Sequence, residues 1–459
     1  MKGDHDGNGP NWTVASELGY MRPPPKEAVP ALILTLQRRD VPQADWLAAA
    51  AAHALGQMGP VARDAAPALI DTLNEDGFFS AAAAARALGE IGPPPQEVVG
   101  ALIHALEKSG PRVSREAAYA LGKIGPEAVS ATEALLKGLE DNDTWMQSAC
   151  TTALGCMGPA AVPSLVKAAK SGDDRVRLGA IRALGRIRPP ATAAARLVAE
   201  ATEDKNGQIR FAAALSLVAM GKPNQRVAPI LTEALAARDT AERIDAAVAL
   251  AKIGQAATSV RVLAEVFADE GESLCLRASA SDALAEMGAS ARAAVKTVMD
   301  VLAKKQSKMR PGAARCLARI APDNEEVLKA LMKVMEDEDP VLRWRATEAL
   351  GDMDPPARVA VPILIKALKG ETAVPPKPPP DADVEERMFP EWHRRLHLYT
   401  EVRVREAAAS ALGRIGPDAR EATPALIAAG NDENEDVRSA SATALRLIRR
   451  ERQSSPRSE

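Results

Sequence analysis

Aromatic residues are scarce in this chain, and so are cysteines. Phenylalanine, tryptophan and tyrosine make up 3% of its 459 residues, which argues against a β-sandwich because such folds draw on aromatic and β-branched side chains. The four cysteines, Cys150, Cys156, Cys275 and Cys316, form no CxxC pair, which excludes a disulfide framework and a zinc knuckle. We expect all four to be small buried apolar residues in a reducing compartment.

Long apolar runs and an excess of positive charge are also missing. The net charge is −3 and acids are interleaved with bases, which disfavours nucleic-acid binding through phosphate neutralisation. No run of 18 apolar residues occurs, so no membrane span is expected. The polar residues 1–10 contain no signal-peptide core. These absences predict a cytoplasmic protein with neither nucleic acid nor membrane as a partner.

The chain is instead rich in one motif, Ala-Leu-Gly-x-Ile/Met-Gly-Pro or a close variant, which usually recurs about 33 residues apart. Its leucines are Leu18, Leu55, Leu88, Leu121, Leu154, Leu184, Leu217, Leu250, Leu284, Leu317, Leu350, Leu412 and Leu445. A fixed period of this size indicates a repeat array, in which each unit packs mainly on its neighbours.

Each repeat has the pattern of two helices joined by a short turn. In one repeat, residues 161–169 predict a first helix, Ser171–Asp174 a turn, and the helical spacing of apolar residues after Val176 a second helix. The glycine of Ala-Leu-Gly is costly inside a helix. Its recurrence therefore predicts a close crossing of helices, where a Cβ atom would clash.

The order Val-Pro-Ala-Leu-Ile, Asp-x-Asp, Val-Arg and Ala-Ala-x-Ala-Leu-Gly-x-Ile-Gly resembles HEAT repeats, most closely the short HEAT-like subtype associated with phycobilin lyases. The resemblance covers roughly residues 11–450. It implies an all-α fold, a right-handed α-solenoid of about 12–13 two-helix repeats. We expect this single solenoid to lie between disordered ends at residues 1–10 and 451–459.

The resemblance also implies ladders that join neighbouring repeats, between a turn aspartate and an arginine at the start of the second helix. The matching arginines are Arg177, Arg210, Arg243, Arg277, Arg310, Arg343, Arg405 and Arg438. Nearby turn residues include Asp173, Asp239, Asp339 and Asn434. The first four complete repeats have Ala48, Ala81, Ser114 and Gln147 in the arginine column. The ladder is therefore expected only from Arg177 onward.

One long insertion, at about residues 371–401, interrupts the period between the first and second helix of a repeat. Its first part, Val374–Pro380, predicts polyproline II. Its second part contains three aromatic residues, Phe389, Trp392 and Tyr399. Insertions of this length are either functional or merely tolerated, and both alternatives stay open.

No catalytic constellation is visible. Deoxyhypusine hydroxylase, an enzyme built from HEAT repeats, uses His-Glu pairs, and this chain has none. His393 and His397 have the spacing of one helix face, but Arg394 occupies the glutamate position of the metalloprotease motif. We expect no metal and no cofactor. A phycobilin-lyase-like enzyme subunit and a chaperone-like assembly factor remain alternatives, the enzyme by fold analogy alone.

The preferred interpretation is a non-catalytic scaffold that binds a partner protein or peptide along the concave face of the solenoid. The columns two residues before and after the motif leucine vary while core columns repeat, which indicates either recognition or neutral drift. The pairs Arg182–Arg186 and Arg315–Arg319 are spaced to bind an acidic segment. The predicted contact residues are Arg182, Arg186, Phe211, Leu215, Val248, Arg315, Arg319, Trp344, Phe389 and Trp392.

Overall fold

The computed structural model describes residues 25–38, 43–75, 77–92, 96–353, 358–372 and 390–449, with the side chains of 390–398 left aside. Within these ranges every regular element is a helix, which confirms the all-α prediction. The chain divides into two compact units, Met1–Leu231 and Thr232–Glu459. The predicted disordered ends, and the first motif leucine, Leu18, lie outside the described residues.

The first unit alternates a first and a second helix in each repeat. Its helices are α1 (Val29–Leu36), α2 (Ala44–Met58), α3 (Ala66–Leu73), α4 (Ser80–Glu90), α5 (Gln96–Lys108), α6 (Pro111–Ile124), α7 (Thr132–Gly138), α8 (Thr144–Cys156), α9 (Val162–Ala168), α10 (Asp174–Arg186), α11 (Ala195–Glu200) and α12 (Gly207–Ala219). The boundary with the second unit falls within α13 (Val227–Ala234).

The second unit continues the same alternation. Its helices are α14 (Thr240–Lys252), α15 (Ala256–Ala268), α16 (Leu274–Met287), α17 (Val295–Ala303), α18 (Arg310–Ile320), α19 (Glu325–Val334), α20 (Pro340–Gly351), α21 (Val361–Leu368), α22 (Pro390–Ile415), α23 (Thr423–Ala429) and α24 (Glu435–Arg449). The described helices thus form twelve pairs, as expected for an α-solenoid. First helices carry odd numbers and second helices even numbers.

The second glycine of the motif ends the second helix of many repeats. Gly125 follows α6 with φ 75°, and Gly416 follows α22 with φ 69°. This left-handed conformation is strained for residues with a Cβ atom, so glycine suits both positions. The proline that follows each glycine lies in the first turn of a short 3-10 helix, Gly125–Ala131 or Gly416–Ala422. The motif therefore both ends one helix and directs the chain toward the next repeat.

The first glycine of the motif lies where the second helices of neighbouring repeats approach closely. A Cβ atom on Gly89 would lie 2.7 Å from Cα of Ala120, and one on Gly413 would lie 2.9 Å from Cα of Ala444. Both distances are shorter than a non-bonded contact of a Cβ atom allows. The alanine that faces each glycine directly precedes the next motif leucine. The predicted glycine crossing is confirmed.

The arginine ladder is present at three of the predicted arginines, and its spacing there is regular. Arg177 donates to Asp204 at 3.2 Å, Arg310 to Asp337 at 2.6 Å, and Arg405 to Asp432 at 2.9 Å. Each acceptor lies 27 residues after its arginine, in the turn of the next repeat. Hydrogen bonds between two charged groups are stronger than neutral ones, so these pairs hold adjacent repeats in register.

The same turn aspartate also serves its own repeat. Asp337 accepts the N–H of Asp339 on its side chain at 3.1 Å, and its carbonyl accepts from Arg343 at 2.7 Å. Asp432 makes the equivalent bonds with Asn434 and Arg438. One aspartate therefore connects two successive arginines through two different oxygens.

The turn residues that were predicted as ladder acceptors cap the second helices instead. Asp173, Asp239, Asp339 and Asn434 lie two residues past the ladder position and cap the second helix. Asp239, for example, accepts the N–H of Ala241 at 2.8 Å. Such caps satisfy helix N–H groups that have no partner inside the helix. The ladder acceptors are instead Asp204, Asp337 and Asp432.

At one of the steps that lack the arginine, a different contact joins the repeats. Asp45 in α2 accepts the N–H groups of Phe79 and Ser80 at 3.1 and 3.0 Å, and the Ser80 hydroxyl at 2.6 Å. A side chain of one repeat thus caps the second helix of the next. The cap links repeats in the absence of the ladder arginine.

The insertion does not break the ladder. The residue 27 positions after Arg343 is Gly370, which precedes the insertion. Arg343 donates instead to Glu401, and both side chains are buried. Glu401 lies in α22, a 26-residue helix that begins at Pro390, inside the predicted insertion. A glutamate from the second helix therefore replaces the turn carboxylate.

The glycine crossing predicts opposite effects for the same substitution at two helical glycines. Gly89→Ala should lower the free energy of unfolding by about 1–3 kcal/mol, because the new methyl group overlaps Ala120. Gly100→Ala, on the exposed face of α5 with no atom within 4 Å, should raise it by about 0.5–1 kcal/mol. Chemical denaturation of the full chain measures both. Equal effects of one sign would contradict the crossing.

The ladder predicts a pH dependence of stability. Burial alone would raise the pKa of Asp337, but hydrogen bonds from Arg310 and Asp339 outweigh it and lower the pKa. The stabilisation is therefore complete above the ordinary pKa of an aspartate and is lost as the pH falls through the lower, folded value. Asp337→Asn should cost about 1–2 kcal/mol near neutral pH, and the difference from wild type should shrink in acid.

Asp323→Asn is the control for this pH dependence, because the Asp323–Arg292 pair is exposed. Its effect should stay below about 1 kcal/mol. Denaturation curves recorded across the acid range compare the three proteins. A constant difference between Asp337→Asn and wild type at every pH would contradict the ladder explanation.

Candidate partner-binding surface

Three successive second helices of the first unit bring aromatic side chains together at their N-terminal ends. Trp46 lies in the first turn of α2, Phe78 and Phe79 directly precede α4, and Arg112 lies in the first turn of α6. We call these four residues the aromatic patch. The Asp45 cap on Phe79 and Ser80 fixes the start of α4 next to Trp46, so a structural contact positions the patch.

The aromatic patch is stacked yet remains open to solvent. The Trp46 and Phe79 rings are stacked with centroids 4.1 Å apart, and Phe78 meets Phe79 edge-on at 5.0 Å. Trp46 and Phe78 are each 59% exposed. Large apolar side chains that stay exposed in a cluster indicate an interaction site more often than isolated ones do.

A cation completes the aromatic patch. The Arg112 guanidinium carbon lies 5.2 Å from the Phe78 centroid and 5.1 Å from the Phe79 centroid, within the range of a cation–π contact. A cavity of about 650 Å³ adjoins Phe78 and Arg112 and is also lined by His104 and Lys108. The patch therefore combines exposed rings with positive charge.

A groove continues from the aromatic patch along the second helices. A cavity of about 190 Å³ is lined by Trp46, Phe79 and Arg112, and a cavity of about 440 Å³ by Tyr119 and Cys156. Arg86 and Glu116 line both cavities. We call these two cavities together the groove. It runs over α2, α4, α6 and α8, so an extended segment would contact several repeats at once.

An ion pair divides the groove. Arg86 donates two parallel hydrogen bonds to Glu116, from Nε at 3.0 Å and from Nη2 at 2.8 Å. The hydrogen bond that Arg86 donates to Glu116, reinforced by the negative charges of Glu116 and Glu90, raises the pKa of Arg86. A two-bond pair of this kind has a fixed geometry. It gives the groove a rigid polar centre between two more apolar parts.

Four of the predicted contact residues belong to the first unit. Arg182 and Arg186 are exposed on one face of α10, and Arg186 donates to the Thr152 hydroxyl at 2.8 Å. Leu215 is half-buried. Phe211 is only 8% exposed, so its prediction as a surface contact is wrong. Its position six residues before the motif leucine directs the ring into the packed side of α12.

Four others belong to the second unit and are less available than expected. Arg315 pairs with Asp282, and Nε of Arg319 lies 3.9 Å from an Asp352 oxygen. The expected basic spot is therefore largely neutralised by carboxylates of neighbouring repeats. Val248 and Trp344 are half-buried against the core.

Trp344 lies in a stack of its own. The guanidinium carbon of Arg345 lies 4.0 Å from its ring centroid, and that of Arg403 lies 5.3 Å away. Arg403 also lies over Tyr399 at 5.9 Å. The contact joins α20 to α22, next to the buried Arg343–Glu401 pair.

Phe389 and the Trp392 side chain lie outside the described residues, so their predicted contacts stay predictions.

The aromatic patch was not predicted, because it lies outside the columns two residues before and after the motif leucine. The column nine residues before that leucine begins Trp46, Phe79, Arg112, Trp145 and Arg175. Five of the chain's thirteen aromatic residues fall between positions 46 and 145. In a chain so poor in aromatics, this clustering at one repeat position was the available signal.

The thiols differ in a way that the sequence did not predict. Cys150 and Cys316 are buried as expected, but Cys156 and Cys275 are exposed. Cys156 lies two residues after the motif leucine, on the open face of α8, and so the expectation of burial was wrong there. Burial raises the pKa of the Cys150 and Cys316 thiols to about 12, which keeps both protonated near neutral pH.

Neither a metal-binding cluster nor a single membrane-spanning helix occurs among the described residues. Among the described residues, no group of three or more histidine, cysteine, aspartate or glutamate side chains is placed to hold a metal ion. In the same part of the chain, no single helix is long and apolar enough to cross a membrane. The segments Thr144–Cys156 and Gly158–Ala168 reach that threshold only as a pair, bent by 119°.

The sequence matches a family model described as HEAT repeats. The matched segments are residues 80–155, 132–217, 162–251, 271–351, 295–374 and 395–456. Together they cover more than half of the chain. A search of curated proteins finds no match.

Solved structures with the same fold include the Kap95:Nup1 complex, at 13% identity and a TM-score of 0.53 over 95% of this chain and 70% of that one. Yeast importin-beta (Kap95p) gives 13% identity and a TM-score of 0.47 over 95% and 74%. The CpcE and CpcF complex of phycocyanin lyase from Nostoc sp. gives 23% identity and a TM-score of 0.30 over 51% and 92%. The first similarity shows the fold alone, and the other two are too weak to support an argument.

The burial of the thiols predicts which cysteines react with an alkylating reagent. Cys156 and Cys275 should be labelled in the folded protein, while Cys150 and Cys316 should react only after unfolding, because they are buried and protonated. Mass spectrometry of peptides from briefly treated protein checks this. Labelling of Cys150 before Cys156 would contradict the placement of α8.

Proposed function

The chain belongs to the HEAT-repeat family, and we propose that it is a non-catalytic scaffold that binds a partner protein. The single observation that carries this proposal is the aromatic patch, two exposed rings and a cation held by three successive repeats. We infer that the partner binds there and along the groove. The cytoplasmic location expected from the sequence is part of the same proposal.

The energetics of the aromatic patch suit protein recognition. Trp46 and Phe79 already stack on each other, and Asp45 fixes the backbone of Phe79. Little side-chain freedom would be lost on binding, and preordered groups bind more tightly for that reason. Aromatic and arginine side chains dominate the binding energy of many interfaces. In the solved complex with this fold, Kap95 is likewise bound to a second protein, Nup1.

The charges near the aromatic patch favour an acidic partner segment. Arg112 and Lys108 are exposed beside Phe78 and line the adjoining cavity, whose lining includes a single carboxylate, Glu75. An extended segment could place an apolar or proline side chain on Trp46 and a carboxylate beside Arg112. The partner chemistry that fits is therefore an extended peptide with an apolar anchor and acidic neighbours.

The basic face predicted from the sequence is a weaker candidate. Arg315 and Arg319 already pair with Asp282 and Asp352, so a partner carboxylate would have to compete with these contacts. The aromatic patch loses no ion pair when its rings are covered. We therefore place the partner contact in the first unit.

Substitution of the aromatic patch tests the proposal. Proteins captured by the full chain from cells of the source organism are identified by mass spectrometry, and the affinity of each purified partner is then measured. Trp46→Ala combined with Phe78→Ala should weaken specific partners at least about tenfold, because loss of an aromatic anchor costs about 2 kcal/mol or more. Bound partner should also slow the alkylation of Cys156, which lines the groove, but not that of Cys275.

Two controls separate the surfaces. Leu34→Ala removes a side chain that is similarly exposed on α1, and its affinity should equal that of wild type. Arg315→Glu with Arg319→Glu tests the alternative face in the second unit. The proposal fails if the arginine variant loses the partner while the aromatic variant keeps it.

A further inference from the structure

One step of the arginine ladder in the second unit has no carboxylate at the acceptor position. At three other steps the acceptor aspartate lies 27 residues after its arginine. The residue at that distance from Arg277 is Lys304. A positive charge therefore occupies the position at which the ladder otherwise supplies a negative one.

Arg277 is nevertheless held in the ladder conformation. Its Nε donates to the carbonyl of Phe267 at 3.0 Å, just as Nε of Arg310 donates to Leu302 at 3.0 Å. Arg310 then uses both terminal nitrogens to bind Asp337. Arg277 is 5% exposed, and its Nη2 atom is buried with no hydrogen-bond partner in the described part of the chain.

A buried charge without a partner is expensive, and the neighbouring turn adds to the imbalance. Lys304, Lys305 and Lys308 are exposed in the turn before α18. Lys304 is drawn toward the preceding turn, where its Nζ lies 3.1 Å from Glu270. The turn itself therefore carries three lysines and no carboxylate.

We propose that Arg277 and the Lys304–Lys308 turn form a binding site for a phosphate-type oxyanion, which supplies the charge that the turn lacks. A dianionic phosphate offers several acceptor oxygens, so it can take hydrogen bonds from the guanidinium and from a lysine together. The phosphate is either free or carried by a phosphorylated segment of a partner. The site lies in the second unit and does not depend on the aromatic patch.

Because Nη2 of Arg277 is buried, binding of an oxyanion requires a local conformational change. Because the atom is already withdrawn from solvent, an oxyanion contacts it only when the Lys304–Lys308 turn moves. Binding should then fix the turn in the position that Asp337 gives to its own turn at the Arg310 step. Hydrogen exchange of the turn amides should slow when phosphate is bound.

Inorganic phosphate tests the proposal on the full chain, with sodium chloride used to match ionic strength. The midpoint of thermal unfolding of wild type should rise with phosphate, and calorimetry should give the affinity. Lys304→Asp places a carboxylate at the acceptor position. It should raise the midpoint without phosphate by about 2–4 °C and weaken phosphate binding at least about tenfold.

Two matched variants separate the buried guanidinium from general surface charge. Lys304→Met removes the lysine charge but adds no carboxylate, so it should keep phosphate affinity within about threefold of wild type. Lys329→Asp makes the same change of charge as Lys304→Asp at an exposed site in α19, and it should keep wild-type binding. A phosphoserine peptide distinguishes the two sources of phosphate. If the natural ligand is a phosphorylated segment, the peptide should bind more tightly than inorganic phosphate does.

The expected pattern is loss of phosphate binding in Lys304→Asp alone, together with its higher midpoint. The proposal is overturned if Lys304→Met loses binding as completely as Lys304→Asp, because surface lysines would then suffice. It is also overturned if phosphate does not stabilise wild type, or if Lys304→Asp leaves the midpoint unchanged.

Discussion

The later repeats depend on a charged hydrogen bond that crosses from one repeat to the next. Repeats in a solenoid contact only their neighbours, so register between neighbours has to be fixed locally at every step. The turn aspartate does this with two groups, a carboxylate for the preceding arginine and a carbonyl for its own. Both contacts are partly withdrawn from water, where a charged hydrogen bond is stronger than on an open surface. Alanine and glycine then bring the second helices close together, which needs the register to be correct.

The way the ladder changes explains how irregular parts of the chain are accommodated. At one step where the arginine is absent, Asp45 in α2 caps α4, the second helix of the next repeat. Where the insertion separates the two helices of a repeat, Glu401 supplies the missing carboxylate from α22. Arg403 then covers Trp344 and Tyr399 beside it. Each substitute keeps an arginine or a helix end satisfied, so the insertion leaves the ladder uninterrupted.

Much of this fold could be predicted from the sequence, because helical period and glycine punctuation act over a few residues. The paired helices and the close contact at Gly89 follow from spacing alone. The acceptors of the ladder did not, since Asp337 and Asp339 are equivalent in any local reading and only the geometry of the next repeat separates them. The prediction of Phe211 as a surface contact was wrong for a related reason, because a ring six residues before the motif leucine faces the core. The aromatic patch depends on side chains from three repeats, which no single repeat reveals.

The double use of the turn aspartate has a consequence for how such a chain can change in length. A repeat that carries both ladder residues brings one acceptor for the arginine before it and one arginine for the acceptor after it. A gene duplication or deletion of one such unit therefore leaves the arginines on either side with a carboxylate, while a break inside the unit exposes an unpaired charge at both new ends. The ladder thus favours growth and shortening of the array by whole periods. It permits new sequence to enter only where, as with Glu401, the incoming segment carries its own acid.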